Sequence, residues 1–204
     1  LYSLTAQVLG DRGTLTNLVP PGASPENYAL RPQDAEALER ADVLVRIGLE
    51  FDRFLERALT EAQRRGAVVI TASDGIPTRP LEAHGHAEGA DARTKEEGAP
   101  DPHIWVDPLR AVSMVENIAA GLSAVDPAGA DVYEERAAAA AEALRGLDTE
   151  FRGRLATVRS RKFLAFHPAW RYFAERYGLE QAAVIEETPG VEPTAQELAE
   201  LTNT

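Results

Sequence analysis

Between Ala128 and Val158 the residues Tyr133, Ala137, Ala140, Leu144, Leu147, Phe151, Leu155 and Val158 recur at steps of three and four. That spacing is one unbroken helical stripe. At 1.5 Å per residue such a helix would extend roughly 45 Å, about the span of two lobes side by side. The segment therefore constrains the chain more than any other: it predicts a long helix acting as a backbone between two separately packed halves.

The flanking sequence reads as alternating strands and helices. Leu4–Leu9 has helical spacing, 10–13 is a turn, and Thr14–Val19 alternates as a strand should. The loop 20–28 is too rich in proline and glycine to form an element of its own. Gln33–Arg40 then reads as a helix, Asp42–Ile47 as a buried strand, Phe51–Arg65 as an amphipathic helix, and Ala67–Thr71 as a strand. Strands separated by helices pair in parallel, with ligands at their carboxyl ends.

From Ala72 to Pro100 the apolar pattern dissolves, which predicts a mobile loop; order returns at His103, and Leu109–Val125 reads as a helix. Beyond the long helix come a strand at Lys162–Phe166, a helix at Pro168–Tyr177 with proline in its first turn and Gly178 as its stop, a strand at Gln181–Ile185, and a helix from Pro193 to Leu201. The expected fold is α/β: two αβ lobes with parallel sheets bridged by one long helix. The expected division is 1–126 for the first lobe (with a mobile loop at about 72–100), 127–159 for the linker helix and 160–204 for the start of a second lobe that is incomplete in this chain.

Composition excludes several classes. The 204 residues include no cysteine, so disulfides and thiolate metal sites are ruled out, and any ligand set must be imidazole and carboxylate. A net charge of -12 opposes binding to nucleic acid. No stretch reaches the roughly 20 apolar residues that span a bilayer. The chain opens at Leu1-Tyr2-Ser3-Leu4 without methionine, as expected of a mature product whose signal peptide has been removed.

Two histidines stand in settings that suit a metal. His103 lies in the proline-bounded run Asp-Pro-His-Ile-Trp-Val-Asp-Pro at 101–108, and His167 ends the apolar run 163–166. A ligand histidine needs its ring fixed and its second nitrogen engaged, and Asp101 and Asp107 are available as acceptors. The structural alternatives are a loop histidine capping the following helix at His103 and a helix-entry residue at His167. Their matching positions in two αβ lobes favour a cleft between facing loop ends. His84 and His86 could form an auxiliary metal site, or simply sit in a solvated loop. Glu186 and Glu187 could supply a substitute carboxylate. Trp105, Trp170, Tyr172 and Phe173 are expected to pack the cleft walls.

The segments at 19–25, Ala41-Asp42-Val43-Leu44-Val45, Asp101-Pro102-His103-Ile104-Trp105, Phe166-His167-Pro168-Ala169 and 191–198 resemble the zinc/manganese solute-binding proteins of ABC transporters, the ZnuA/TroA-like class. The resemblance covers nearly the whole chain, in the family's order. It implies a metal held between the lobes by Glu26, His103 and His167, an extracytoplasmic location (periplasmic or lipid-anchored at the cell surface), and delivery to the transporter's membrane permease by a carrier that is not an enzyme.

The family usually has histidine where this chain has Glu26, which makes the ligand set harder. The family's fourth, acidic ligand would fall beyond Thr204. His167 resembles the zinc-preferring branch and Glu26 pulls toward manganese; the affinity order favours zinc. Two alternatives stand beside the carrier. One is a metal-dependent hydrolase, for which no His-Glu-x-x-His pair or free general base is found. The other is a cell-adhesion protein with a degenerate metal site.

Overall fold

The computed structural model describes residues 1–25, 28–81 and 98–185. In chain order, α1 (Tyr2–Leu9) and α2 (Pro32–Arg40) precede β1 (Val43–Arg46), α3 (Glu56–Arg64) and β2 (Val68–Thr71). Then follow α4 (Pro108–Val125), α5 (Ala130–Ala156), β3 (Lys162–Ala165), α6 (Arg171–Tyr177) and β4 (Glu180–Val184). Among the described residues there are two sheets, each of two parallel strands. In the first, Val43 faces Val68 and Arg46 faces Thr71, with α3 as the crossover. In the second, Lys162 faces Glu180 and Ala165 faces Val184, with α6 as the crossover and a register shift between Phe163 and Leu164. The expected class, two αβ lobes with a long helix between them, is what the chain adopts. Among the described residues no helix is long and apolar enough to cross a membrane.

The first core lies where α4 packs on α5, α1 and β2. Met114, Val115 and Ile118 of α4 are fully buried beside Ile70 of β2 and Tyr133, Ala137 and Ala140 of α5. Alanines on α5 let the two helices approach closely. Gly121 on α4 serves the same end against the sheet: a Cβ built there would stand 2.6 Å from Ile70 side-chain carbons. α4 starts sharply because Asp107 accepts the Leu109 N–H at 2.9 Å while Pro108 takes the first helical position. α2 starts on a similar lock. Asp34 accepts from the Arg31 N–H at 2.8 Å and from the Tyr28 hydroxyl at 2.7 Å. The Arg31 guanidinium beside it holds the Asp34 carboxyl well below the usual carboxylate range.

The second unit docks on the end of α5 through aromatic rings and a buried charge cluster. Phe173 stacks edge-on against Tyr177 at 4.7 Å and against Phe151 of α5 at 5.3 Å. Asp148 of α5 accepts from the Tyr177 hydroxyl at 3.0 Å and from Arg152 Nε at 2.9 Å. Arg176 of α6 reaches both Asp148 and the Asp107 cap of α4. Burial works against the charged form of Asp148, but Arg152, Tyr177 and Arg176 together hold its carboxyl below the ordinary value.

Several boundaries differ from the sequence expectation. Thr14–Val19 is not a strand. With Thr14, Thr16 and Asn17 exposed, and each sheet closed at two strands among the described residues, its β-favouring residues have no ladder to join. The helix expected over 51–65 begins as a 3₁₀ turn at Arg53–Leu55 and becomes regular only at Glu56, which releases Phe51. α6 starts at Arg171, not Pro168, because the Ala169 N–H closes a tight turn onto the His167 carbonyl at 2.8 Å. The ends of the stretch 72–100 are ordered: Ala72 and Ile76 are in the core, and Pro80 bridges Pro100 in antiparallel sense. Residues 82–97 and the helix expected at Pro193–Leu201 lie outside the described residues.

Two substitutions probe this packing. Gly121→Val should cost about 1–3 kcal/mol, because the added carbons force Ile70 off its position; urea unfolding measures it, and an unchanged midpoint would contradict the close approach. Asp148→Asn should destabilise by about 1–3 kcal/mol at neutral pH through loss of charge-assisted hydrogen bonds. A carboxyl whose folded-state pKa is depressed stabilises above its unfolded value, and that stability is lost as pH falls through the folded one. The gap between wild type and Asp148→Asn should therefore narrow in acid, below the ordinary carboxylate range. A constant gap would refute the assignment.

Candidate metal centre

His103 is held from three sides. A single carboxylate oxygen of Asp101 accepts both the His103 backbone N–H, at 3.0 Å, and the ring Nδ1, at 2.7 Å. Both residues are almost completely buried. An ionised carboxylate can only accept, so the proton sits on Nδ1, and in the neutral ring the lone pair is on Nε2. The ring edges also meet Trp105, with centroids 5.3 Å apart, and Phe51 at 6.2 Å.

Phe51 reaches that position through an unusual turn. Its N–H donates to the Gly48 carbonyl at 3.0 Å, and the two central residues, Leu49 and Glu50, have φ of 54° and 64°. Left-handed backbone at both central positions is what a type I′ turn requires, and Leu and Glu adopt it at a cost of about 1–3 kcal/mol each. Asp52 holds the turn by accepting the Gly48 N–H at 2.6 Å. Burial pushes its carboxyl above the usual range. The same turn lines a pocket of about 210 Å³ with Arg46, Arg53 and Glu56; neither histidine lines it.

His167 comes from the second unit, just past the carboxyl end of β3. Its Nε2 stands 3.4 Å from His103 Nε2, and the two rings meet edge to face at 74°. Two nitrogens bound to one tetrahedral zinc at 2.0–2.1 Å would be about 3.3–3.4 Å apart. Residues 64 positions apart in the chain thus already stand at chelating separation, at the carboxyl end of one parallel pair and beside the loop that opens α4.

The other residues singled out from sequence distribute differently. Glu26, His84, His86, Glu186 and Glu187 lie outside the described residues. Among the described residues no third His, Asp or Glu joins the histidine pair in a metal-holding group. Asp107, expected to orient a ligand, instead caps α4 and binds Arg176. Of the four aromatics expected at the cleft wall, Trp105 packs on His103. Tyr172 is buried against Asp101 and Arg110. Trp170 is partly exposed and stacks on Phe173, which belongs to the cluster on α5. Phe51 was not anticipated, because 51–65 reads as a helix and nothing in Leu49-Glu50 signals left-handed backbone.

The chain as a whole is similar to known proteins. Residues 1–204 match the family model described as zinc-uptake complex component A, periplasmic. The zinc-binding lipoprotein AdcA of Streptococcus pneumoniae serotype 4 is 32% identical over 205 residues, 99% of this chain and 40% of that protein. The high-affinity zinc uptake system protein ZnuA of Paracoccus denitrificans is 31% identical over 218 residues, 96% of this chain and 67% of that protein. A crystal structure of ZnuA superposes with a TM-score of 0.84 at 35% identity, covering 98% of this chain and 73% of that one. The manganese-bound FpvC from Pseudomonas aeruginosa superposes at 0.79 with 31% identity, covering 99% and 71%. This chain thus spans from two fifths to about two thirds of the length of these two curated relatives.

The Asp101 contact makes a direct test. Asp101→Asn keeps the shape but removes the charge that makes Nε2 a stronger donor, and should weaken binding of a divalent transition ion about 10- to 100-fold. Competition with a chromogenic chelator measures this, with circular dichroism to confirm an intact fold. Undiminished affinity would show that His103 does not act through this carboxylate.

Proposed function

We propose, since the chain belongs to the zinc-uptake complex component A family, that it is an extracytoplasmic solute-binding protein that captures zinc and presents it to the membrane permease of an ABC importer. The observation that carries this reading is the 3.4 Å separation of the His103 and His167 Nε2 atoms, each from a different αβ unit. Glu26 would complete a three-residue ligand set. Water or a further carboxylate, for which Glu186 or Glu187 are candidates, would fill the fourth position of a tetrahedral ion. His84 and His86 are candidates for an auxiliary metal site. The division at 1–126, 127–159 and 160–204 suits this role, with α5 fixing the distance between the halves.

Zinc is favoured over manganese by two imidazole donors and by the general affinity order. Relatives named for zinc uptake and zinc binding support the choice, while a manganese-bound structure among those it resembles keeps manganese as the second candidate. The protein acts as a carrier, not an enzyme. Two imidazole nitrogens at a chelating separation suit capture of an ion.

The full-length protein should bind a single zinc ion tightly, with manganese far weaker. His103→Ala and His167→Ala should each lower zinc affinity by more than the roughly 10- to 100-fold that loss of an outer partner causes. Isothermal titration of wild type and both variants measures this, alongside an ester-hydrolysis assay that should show no turnover. Weak binding that neither substitution alters would favour a degenerate site, and zinc-dependent turnover would favour a hydrolase.

A further inference from the structure

The hydroxyl of Tyr172 occupies an unusual place in the fold. Arg79 and Asp101 lie opposite each other in the short antiparallel pairing that brackets Pro80 and Pro100. Two residues paired in that way normally exchange two N–H···O bonds. Here only one is direct, from the Asp101 N–H to the Arg79 carbonyl at 2.7 Å. The other passes through Tyr172: the Arg79 N–H donates to the tyrosine oxygen at 3.0 Å, and the tyrosine hydroxyl donates to the Asp101 carbonyl at 2.8 Å. A side chain from α6 has been inserted as a rung between two segments of the first unit.

The insertion is built firmly. Tyr172 is 1% exposed, and its ring lies under the Arg110 guanidinium, 4.4 Å from the centroid. Arg79 also pairs with Glu175 of α6. Asp101 is thus held at its carbonyl by α6 while its carboxylate holds His103. Without the hydroxyl, either the rung would close directly and draw Asp101 toward Arg79, or a buried N–H and C=O would lose their partner. Each outcome moves the residue that aims His103.

We propose that Tyr172 is a cross-unit positioning residue for metal capture: its hydroxyl sets Asp101, and through it His103, so that the first unit presents its imidazole correctly only while α6 of the second is docked. This rests on the carrier reading. It links the two histidines mechanically, because the helix that fixes His103 begins four residues after His167. Undocking of α6 would then disturb both ligands together, a route for release of the ion.

The test uses Tyr172→Phe in the full-length protein, with Tyr133→Phe as control. Tyr133 is also buried, but it lies on α5 and its hydroxyl serves Asp126, away from α6 and Asp101. Tyr172→Phe should lower zinc affinity about 10-fold, as loss of an outer-shell partner does. It should also speed zinc release to a chelator and shift the His103 Nδ1–H signal in nuclear magnetic resonance. Tyr133→Phe should leave all three unchanged, whatever its thermal stability. Wild-type affinity in Tyr172→Phe, or an equal loss in Tyr133→Phe, would overturn the proposal. Should wild type bind no zinc, the carrier reading fails, and the His103 signal still decides whether Tyr172 positions that ring.

Discussion

Everything at the candidate centre depends on one carboxylate oxygen. Asp101 accepts two hydrogen bonds from His103, one from the backbone and one from the ring, and this fixes both the chain path and the tautomer. Without that constraint a histidine beside a short 3₁₀ turn would sample several rotamers, and only one aims Nε2 at His167. The packing of Phe51 and Trp105 adds to the constraint but could not replace it, since edge contacts do not select a protonation state. On the proposed reading, a metal would meet two donors already at a chelating separation, at little cost in ordering entropy.

The strained turn at 48–51 belongs to the same design. Left-handed Leu49 and Glu50 are costly in isolation, yet they persist because Asp52 ties down the Gly48 N–H and Leu49 packs against the main core. Gly48 has no room for a larger residue: a Cβ would stand 2.6 Å from a Thr71 methyl. The outcome is an aromatic ring placed on His103 from a segment that would otherwise have continued as helix. Local propensity yields here to the needs of the site, which is where such conflicts are expected.

Those same considerations explain what could be seen in the sequence. The long helix and the two parallel pairs follow from periodicity, which acts over a few residues and leaves a plain imprint. His103 and His167 were legible because proline-bounded and strand-end histidines are rare settings. Thr14–Val19 misled because its β-branched residues carry a preference, not a partner. Phe51 as a site residue and the role of the Tyr172 hydroxyl were illegible for a different reason, although Tyr172 is expected from sequence as a cleft-wall ring. These roles depend on contacts spanning 52 and 71 residues, and no local pattern encodes a hydroxyl inserted between two distant backbones.

The pairing of the two histidines also bears on how a tight site can let go. The two Nε2 atoms stand 3.4 Å apart, and the surrounding scaffold sets that separation. The scaffold is stiff in one direction. α5 sets the distance between the units over about 40 Å of helix, and Arg176 ties α6 to both Asp148 of α5 and Asp107 of α4. Separation of the histidines by a wide hinge motion would have to break these buried ion pairs, each costly to expose singly. A small displacement of α6 is cheaper. It would shift Tyr172 and the turn carrying His167 together while leaving α5 in place, and a shift of well under the length of a hydrogen bond suffices to spoil a coordination geometry that tolerates about 0.2 Å. On the proposed reading, release by a slight slide of α6 that strains the Arg176 pairs without breaking them therefore fits this fold better than release by opening of the lobes.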